Sequence, residues 1–458
     1  MMDTNKIISE NQINKLLEDY RNTTKEEILR IIEKSQECHG LTLGEVAALL
    51  QTEDEGLMEI LFDAARFIKN KIYGKRIVVF APLYTSNECT NNCLYCGFRA
   101  ANKKLHRKTL SKEEIIHEAK SIEKQGHKRI LLVCGEDRRS TGIDHIVHAV
   151  KTTYEAGDIR RINVNTAPME VEDFKKLKMA GIGTYQIFQE TYHRETYRKM
   201  HPTGAKADYD YRLTAIERAL EAGIDDFGIG PLLGLYDYKF DVLATLRHSQ
   251  YMDEKYGVGP HTISVPRLKP ALDSGLKEIP YAVSDKDFKK IVAIYRLAVP
   301  YTGIILSTRE NATLRDELLN LGISQISAGS KTNPGGYGKE DKEAKQFENS
   351  DERTLDEMLQ VICEQGHIPS FCTACYRKER TGNAFMELAK DAHIDGFCQV
   401  NAILTLKENL LDYASENMVR KGNTLINRTL NEIKDASIRN LIEERLGQIE
   451  MGKRDLYL

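Results

Sequence analysis

Three cysteines lie within eight residues of one another in the stretch NECTNNCLYCGF. Cys89, Cys93 and Cys96 form the pattern C-x3-C-x2-C, with no fourth thiol and no histidine beside them. A structural zinc site uses four ligands and closes its coordination shell. Thiolates in groups of three or four hold iron–sulfur clusters, and a cubane held by three of them leaves one iron open. The stretch therefore predicts a metal centre with an open position; a zinc ion completed by a distant histidine or by Cys134 is the alternative.

A second set of cysteines follows near the C-terminus. Cys372 and Cys375 form C-x2-C, and Cys398 comes twenty-two intervening residues later. In a reducing cytosol such clusters indicate metal ligands, not disulfides. A zinc site completed by Cys363 or His367 is the alternative for this set.

The composition narrows the class of protein. The 458 residues carry 65 basic and 68 acidic side chains, a net charge of −3, so nothing indicates a nucleic-acid or anionic-membrane partner. No apolar run approaches the roughly 20 residues needed to span a bilayer. The polar N-terminus lacks the apolar core of a signal peptide. We expect a soluble, cytoplasmic protein.

Short β-branched runs alternate with amphipathic stretches through the middle of the chain. We count eight such runs, and several of the helical patterns between them close on glycine. Eight strand–helix units match a (β/α)8 barrel; a doubly wound sheet would need a Gly-rich turn after its first strand, which is missing. The predicted fold class is α/β, a TIM-type barrel over residues 73–343. A helical extension over 1–72 precedes it, and a mainly helical C-terminal domain over 344–458 follows after a solvated, charged linker.

In such a barrel the chemistry lies at the carboxyl ends of the strands, the end that we call the mouth. The three-cysteine loop follows the first strand directly. Polar residues near the ends of later runs are expected at the same mouth: Gly135, Glu136, Glu190, His261, Arg309, Ser327 and Ser330. Arg315, in the helical stretch ATLRDEL, is expected on an outer face in solvent.

The cysteine loop, with Tyr95 just before its last cysteine, resembles the cluster loop of the radical S-adenosylmethionine (SAM) superfamily. The resemblance implies a 4Fe-4S cluster on Cys89, Cys93 and Cys96. The open iron of that cluster would bind the amino and carboxylate groups of the methionine moiety of SAM. The fourth ligand would then be the cosubstrate.

The same resemblance assigns further contacts with SAM. Cys134-Gly135-Glu136 stands where the superfamily usually has Gly-Gly-Glu, a segment that binds the methionine amino group. Glu190 is placed for the ribose hydroxyls and Arg212 for the methionine carboxylate, and both contacts would be charge-assisted. An ordinary ion pair between Glu190 and Arg212 is the alternative.

With its second cysteine set, the chain resembles the radical SAM tyrosine lyases that mature the H-cluster of FeFe-hydrogenase, from about residue 76 to beyond residue 400. The resemblance implies an auxiliary cluster, based on 4Fe-4S, on Cys372, Cys375 and Cys398. That cluster would carry an extra labile iron, which His261 helps to hold through its imidazole. This role requires the C-terminal domain to fold over the mouth of the barrel.

The implied reaction begins with a 5′-deoxyadenosyl radical from SAM and breaks the Cα–Cβ bond of tyrosine. It gives p-cresol and dehydroglycine, and dehydroglycine yields carbon monoxide and cyanide, which bind iron. The implied partners are an electron donor such as ferredoxin or flavodoxin and other hydrogenase maturation proteins. Arg309 is the candidate clamp for the tyrosine carboxylate, since a guanidinium offers a bidentate fork; Ser327 and Ser330 are its candidate hydrogen-bonding partners.

Two other functions stay open at this point. The first is a radical SAM lyase of another aromatic amino acid, or a tyrosine lyase of the thiazole type, with a structural second cluster. The second is a non-enzymatic iron–sulfur scaffold or carrier, which would have no need for Glu190 and Arg212.

Overall fold

A closed barrel of parallel strands occupies the centre of the chain. The computed structural model describes residues 4–339, 341–378, 381–382 and 394–458. The strands are β1 Arg76–Ser86, β2 Arg129–Cys134, β3 Arg161–Asn165, β4 Thr184–Gln186, β5 Asp226–Ile229, β6 Thr262–Ser264, β7 Gly303–Leu306, β8 Gln325–Ser327 and β9 Ile368–Ser370. Each of the first seven strands pairs in parallel with the next, and β8 pairs with β1, which closes the ring. The predicted fold class is confirmed.

Helices precede, surround and follow this ring. They are α1 Glu10–Asp19, α2 Lys25–Ser35, α3 Leu43–Leu50, α4 Glu55–Tyr73, α5 Lys112–Lys124, α6 Ile143–Glu155, α7 Val171–Met179, α8 Arg194–Met200, α9 Tyr209–Leu213, α10 Ala215–Glu221, α11 Tyr238–Tyr256, α12 Asp285–Ala298, α13 Ala312–Leu321, α14 Leu355–Glu364, α15 Ala374–Arg377, α16 Ile394–Asp412, α17 Glu416–Glu432 and α18 Ala436–Glu450. The first four precede β1, and α5–α13 connect the barrel strands. The division into three domains stays a prediction.

Helix α4 fixes the start of the barrel from outside. It buries Leu61, Ala65, Ile68 and Ile72, which recur every three or four residues and form one apolar face. This helix packs against α12 and α16, and it ends just before β1 begins. The first barrel strand is therefore held by helices that come from both ends of the chain.

The short strand β9 shows where the C-terminal segment joins the barrel. Its residues Ile368, Pro369 and Ser370 pair with the first three residues of β1. Those residues belong to the amino-terminal end of the strands, which we call the base of the barrel. The expected position of the C-terminal segment over the mouth is therefore wrong, because β9 anchors this segment at the opposite end.

The charged stretch that follows β8 is not a solvated linker throughout. Ala344, Lys345 and Phe347 are buried. The N–H of Gly97 donates to the carbonyl of Gln346 at 3.0 Å, which ties the stretch to the cysteine loop. The expectation of a solvated linker is wrong here, since the apolar residues within the charged run pack onto the mouth.

Candidate active site and a second thiol site

A cavity of about 210 Å³ opens at the mouth of the barrel. Its lining includes every residue predicted to bind the first cluster, SAM or tyrosine: Cys89, Cys93, Tyr95, Cys96, Gly135, Glu136, Glu190, Arg212, Arg309, Ser327 and Ser330. Most of these residues lie in loops that follow different strands, and Arg212 lies in α9. Parallel strands bring their carboxyl ends, and so these loops, to one edge. The structure therefore joins them in one site.

The thiols of the cysteine loop lie in a largely apolar setting. Cys93 packs with Tyr95 and Met200. Burial raises the pKa of Cys93 to about 12 and that of Cys96 to about 11. The side-chain amide of Gln346 donates to the sulfur of Cys96 at 3.8 Å. Thiols with such pKa values carry their protons until a metal displaces them.

The arrangement of these thiols bears on the kind of metal centre. Within the described part of the chain, no group of three His, Cys, Asp or Glu side chains is arranged to hold a single metal ion. Cys89, Cys93 and Cys96 nevertheless line one cavity. Three thiols that line one cavity can occupy three corners of an iron–sulfur cluster.

Close contacts fix the loops beside the cysteines. The side-chain amide of Asn91 donates to the Glu136 carboxylate at 2.6 Å, and its side-chain oxygen accepts the N–H of Lys206 at 2.8 Å. A Cβ atom at Gly135 would lie 2.2 Å from the carbonyl oxygen of Glu88, so the position requires glycine. The neighbouring Cys134 has room for its side chain and lines the cavity.

The backbone at Glu190 has an unusual conformation. Its φ angle is +70°, and the N–H of Thr191 donates to the carbonyl of Gln189 across it at 3.0 Å. These features define a γ-turn of the rare, strained kind with positive φ. The N–H of Leu232 donates to the Glu190 carbonyl at 2.7 Å from the next strand connection. The turn aims the Glu190 carboxylate into the cavity.

Two cations face the Glu190 carboxylate. Lys206 Nζ lies 2.5 Å from its Oε1, and a terminal nitrogen of Arg212 lies 3.6 Å from the same oxygen. Burial would raise the pKa of Glu190, but these two charges hold it below its usual value. The ion pair with Arg212 is thus present, in a site whose three members all line the cavity. Lys206 was not predicted as a site residue from the sequence, although it lies six residues before Arg212.

Arg309 and Ser330 present polar groups to the cavity. The guanidinium of Arg309 lies over the ring of Phe347, and among the described residues it has no carboxylate within ion-pair distance. Burial lowers its pKa. The buried hydroxyl of Ser330 likewise has no hydrogen-bond partner in the described structure. A buried cation and a buried hydroxyl without protein partners are the groups that a carboxylate ligand would satisfy.

Arg315 differs from its prediction. It is 1 % exposed, and its guanidinium pairs with Asp351 and donates to the carbonyl of Ser327. The expectation of a solvated charge is wrong because Asp351, distant in sequence, supplies the partner that a buried arginine needs.

The second thiol set lies at the base of the barrel. Cys372 follows β9, Cys375 lies in α15, and Cys398 lies in α16. Burial would lower the pKa of Arg76, at the start of β1, but the neighbouring Cys398, Cys372 and Cys375 contribute to raising it. The N–H of Ala374 donates to the sulfur of Cys372 at 3.3 Å. One half-buried arginine therefore has all three thiols as electrostatic neighbours.

His261 belongs to the base as well. It directly precedes β6, so its expected position at the mouth is wrong: residues before a strand lie at the amino-terminal end. Its imidazole is 6.5 Å, centroid to centroid, from the ring of Tyr376, the residue after Cys375. Asp226 Oδ2 lies 3.7 Å from its Nδ1. The structure thus brings His261 to the second thiol set, with a carboxylate behind it.

The alternative ligand His367 is engaged elsewhere. Its Nδ1 lies 3.1 Å from Lys69 Nζ, and its Nε2 lies 2.9 Å from the side-chain oxygen of Asn320. Both ring nitrogens thus have hydrogen-bond partners, which does not favour a zinc site completed by His367. Cys363, the other alternative, is buried in α14, and burial raises its pKa to about 12.

Comparisons with known proteins agree with this geometry. The profile of the Radical SAM superfamily matches residues 83–248, and that of the Biotin and Thiamin Synthesis associated domain matches residues 264–368. The 2-iminoacetate synthase of Escherichia coli (strain K12) is 32% identical over 339 residues, 74% of this chain and 89% of its own. A crystal structure of HydG, a maturase of the FeFe-hydrogenase, is 53% identical with a TM-score of 0.96, covering 99% of this chain and 100% of that one. This chain belongs to the HydG family. The HydG of Carboxydothermus hydrogenoformans is also similar, at 44% identity and a TM-score of 0.86, over 97% of this chain and 100% of its own.

Membership of the HydG family indicates which cofactors bind at the mouth cavity. The chain is a radical SAM maturase or lyase, and the superfamily implies a 4Fe-4S cluster and SAM at the cysteine loop. None of the helices in the described part of the chain has the length and apolar character that crossing a bilayer requires.

Proposed function

We propose that this HydG-family chain cleaves the Cα–Cβ bond of tyrosine to p-cresol and dehydroglycine. Dehydroglycine would then yield carbon monoxide and cyanide, which bind iron for the assembly of the H-cluster. One observation carries the proposal: a single barrel has a cavity at its mouth, where Arg309 has no carboxylate partner among the described residues, and three thiols with His261 at its base. The similarity to HydG and to 2-iminoacetate synthase supports it.

Different residues at the mouth would bind different parts of SAM. Cys89, Cys93 and Cys96 would hold the 4Fe-4S cluster, which supplies, when bound, the electron that splits SAM. Glu190 would accept hydrogen bonds from the ribose hydroxyls, and Arg212 would pair with the methionine carboxylate. Both groups already line the cavity, so binding SAM requires an exchange of partners at Glu190, not a new loop position.

Arg309 would orient tyrosine. Its planar guanidinium offers two parallel donors to the carboxylate, and the ring of Phe347 supports its face. Ser330, which has no other partner among the described residues, would donate a third hydrogen bond, and Ser327 lines the same wall. The remaining wall includes apolar side chains such as Phe80, which exclude water from a reactive radical.

The small product would cross the barrel from mouth to base. Gln186 lines the mouth cavity, and Thr262 stands next to His261 at the base. Gly228 lies between them: a Cβ atom there would be 2.5 Å from Thr262 Oγ1 and 2.9 Å from Gln186 Cγ. Both contacts are too short for a side chain, so glycine at this position allows Gln186 and Thr262 to pack closely between the two sites.

At the base, Cys372, Cys375 and Cys398 would hold the auxiliary cluster. His261 would offer an imidazole nitrogen to the labile iron, which is a substrate of the assembly. The Asp226 carboxylate, 3.7 Å from that ring, would set its orientation. Arg76 contributes positive charge beside the thiolates.

The chemistry requires partners that we propose on the same basis. A reducing electron donor such as ferredoxin or flavodoxin would feed the first cluster. Other hydrogenase maturation proteins would receive the iron product, and the setting would be the cytoplasm. Nothing in the described residues calls for a nucleic-acid or membrane partner.

Reconstituted protein with SAM and dithionite, under strict exclusion of oxygen, tests the substrate. With tyrosine we expect p-cresol together with 5′-deoxyadenosine, and with tryptophan we expect no aromatic cleavage product. Turnover of tryptophan without p-cresol from tyrosine would favour a lyase of another aromatic amino acid. Failure to cleave SAM at all would favour an iron–sulfur carrier.

A further inference from the structure

We propose that Asp241, a residue outside the cavity, is the positioning residue for the SAM contact at Glu190. The inference rests on the proposed role of Glu190 in binding the ribose. Asp241 lies in the first turn of α11 and is completely buried. It would act on SAM only through the loop that carries Glu190.

The starting point is the strain at Glu190. A side chain other than glycine at a φ of +70° persists only where the surroundings fix the backbone. The hydrogen bond from the Leu232 N–H to the Glu190 carbonyl, 2.7 Å long, fixes the turn at Glu190 itself. The residues that follow Glu190 need a further hydrogen-bond partner to keep the turn in this conformation.

Asp241 is that hydrogen-bond partner. Its Oδ1 accepts the hydroxyl of Thr191 at 3.0 Å and the backbone N–H of Tyr192 at 2.8 Å. These are the two residues that directly follow Glu190. The hydroxyl of Tyr209 donates to the carbonyl of Tyr192 at 2.8 Å and also fixes this segment. A single carboxylate oxygen thus fixes the exit of the strained turn.

The burial of Asp241 supports a positional role. Its second oxygen, Oδ2, has no hydrogen-bond partner in the described structure, and the side chain forms no ion pair there. Burying a carboxylate with one unsatisfied oxygen is costly, so the position is a poor choice for stability alone. Helix α11 also packs against α1, α3 and α12, which keeps the carboxylate in place.

Removing the acceptor should release the turn and move the Glu190 carboxylate away from the ribose. We therefore expect weaker binding of SAM and a raised KM for SAM, with kcat much less affected. The thiol sites are not touched by Asp241, so iron content and the spectrum of the auxiliary cluster should not change.

The test is equilibrium binding of radiolabelled SAM to anaerobically reconstituted holoprotein. Asp241→Ala should weaken binding about tenfold, which corresponds to about 1.4 kcal/mol. Asp241→Asn keeps an oxygen that accepts both hydrogen bonds, so its binding should stay within about twofold of wild type. Wild-type binding by Asp241→Ala, or an equal loss in Asp241→Asn, would overturn the inference.

Two further variants separate the possible failures. Glu190→Gln should itself weaken binding; if it does not, the proposed ribose contact falls and the inference falls with it. If Glu190→Gln weakens binding while Asp241→Ala does not, the contact stands and only the positioning role is lost. Should Asp241→Ala not fold, Thr191→Val removes, at nearly constant volume, the hydroxyl that donates to Asp241 and accepts the N–H of His193. SAM binding by this variant should be at least about threefold weaker, as for the loss of one or two hydrogen bonds, and wild-type binding would contradict the role.

Discussion

The guanidinium of Arg309 lies over the ring of Phe347, with 3.4 Å between the guanidinium carbon and the ring centroid. The two residues come from different parts of the chain: Arg309 follows β7, and Phe347 belongs to the charged stretch after β8. Stacking holds the plane of the guanidinium while leaving its donors free for a carboxylate.

Arg309→Lys and Arg309→Ala should therefore raise the KM for tyrosine. Loss of a charge-assisted pair is worth about 1.5–3 kcal/mol, so we expect an increase of about tenfold or more. Lysine should rescue little, because it lacks the planar fork. Steady-state p-cresol formation measures the effect, and Arg198→Lys, on an exposed face of α8, is the matched control. An unchanged KM for tyrosine would remove Arg309 from the clamp.

His261→Ala should separate the two ends of the barrel. The imidazole lies at the base, away from the mouth cavity, so p-cresol formation should stay near the wild-type rate. Infrared bands of iron-bound carbon monoxide and cyanide should disappear, because the labile iron loses a ligand. The exposed His117→Ala is the control. Equal loss of p-cresol and of the infrared bands would contradict this division.

Gly228→Ala tests the passage through the barrel. The added Cβ would lie 2.5 Å from Thr262 Oγ1, so the side chains packed between the two sites would have to shift. We expect the yield of cyanide per p-cresol to fall several-fold, while free dehydroglycine or its hydrolysis product glyoxylate accumulates in solution. Gly447→Ala, where a Cβ would meet no atom within 4 Å, controls for the substitution itself. An unchanged ratio of cyanide to p-cresol would exclude this route.

Acid should destabilise the protein through its buried histidines. Burial lowers the pKa of His127 to about 4, below the ordinary value of 6.5, so its stabilising contribution is present above pH 6.5 and is lost as the pH falls towards 4. Between pH 6.5 and 5 this residue should account for a loss of about 2 kcal/mol in the free energy of unfolding. Anaerobic urea unfolding at both pH values should show a smaller loss in His127→Gln than in wild type. An equal change in the exposed control His117→Gln would refute the assignment.

The mouth of the barrel was predictable because its rules are local. The runs of β-branched residues mark the strands, and parallel strands place the residues after them at one edge. The cysteine loop, Glu190 and Arg309 could therefore be assigned to one cavity before any contact was known. The γ-turn at Glu190 could not be predicted, because Asp241, on a helix distant in sequence, fixes its strained backbone.

The base of the barrel was not predictable in the same way. Strand β9 has three residues, too few to show a pattern, and its pairing with β1 decides which end the C-terminal segment reaches. His261 was placed at the wrong end because the start and the end of the short strand β6 are close in sequence. Arg315 was misplaced for a related reason: its partner Asp351 lies 36 residues away.

The central claim is that one barrel carries two separate chemical sites. The most direct test measures p-cresol and cyanide together for wild type and for the double variant Cys372→Ala/Cys375→Ala, with SAM, tyrosine and dithionite under anaerobic conditions. The account predicts that the variant keeps p-cresol and loses cyanide and carbon monoxide. A wild type that forms no p-cresol, or a variant that loses p-cresol and the diatomic products in parallel, would contradict it.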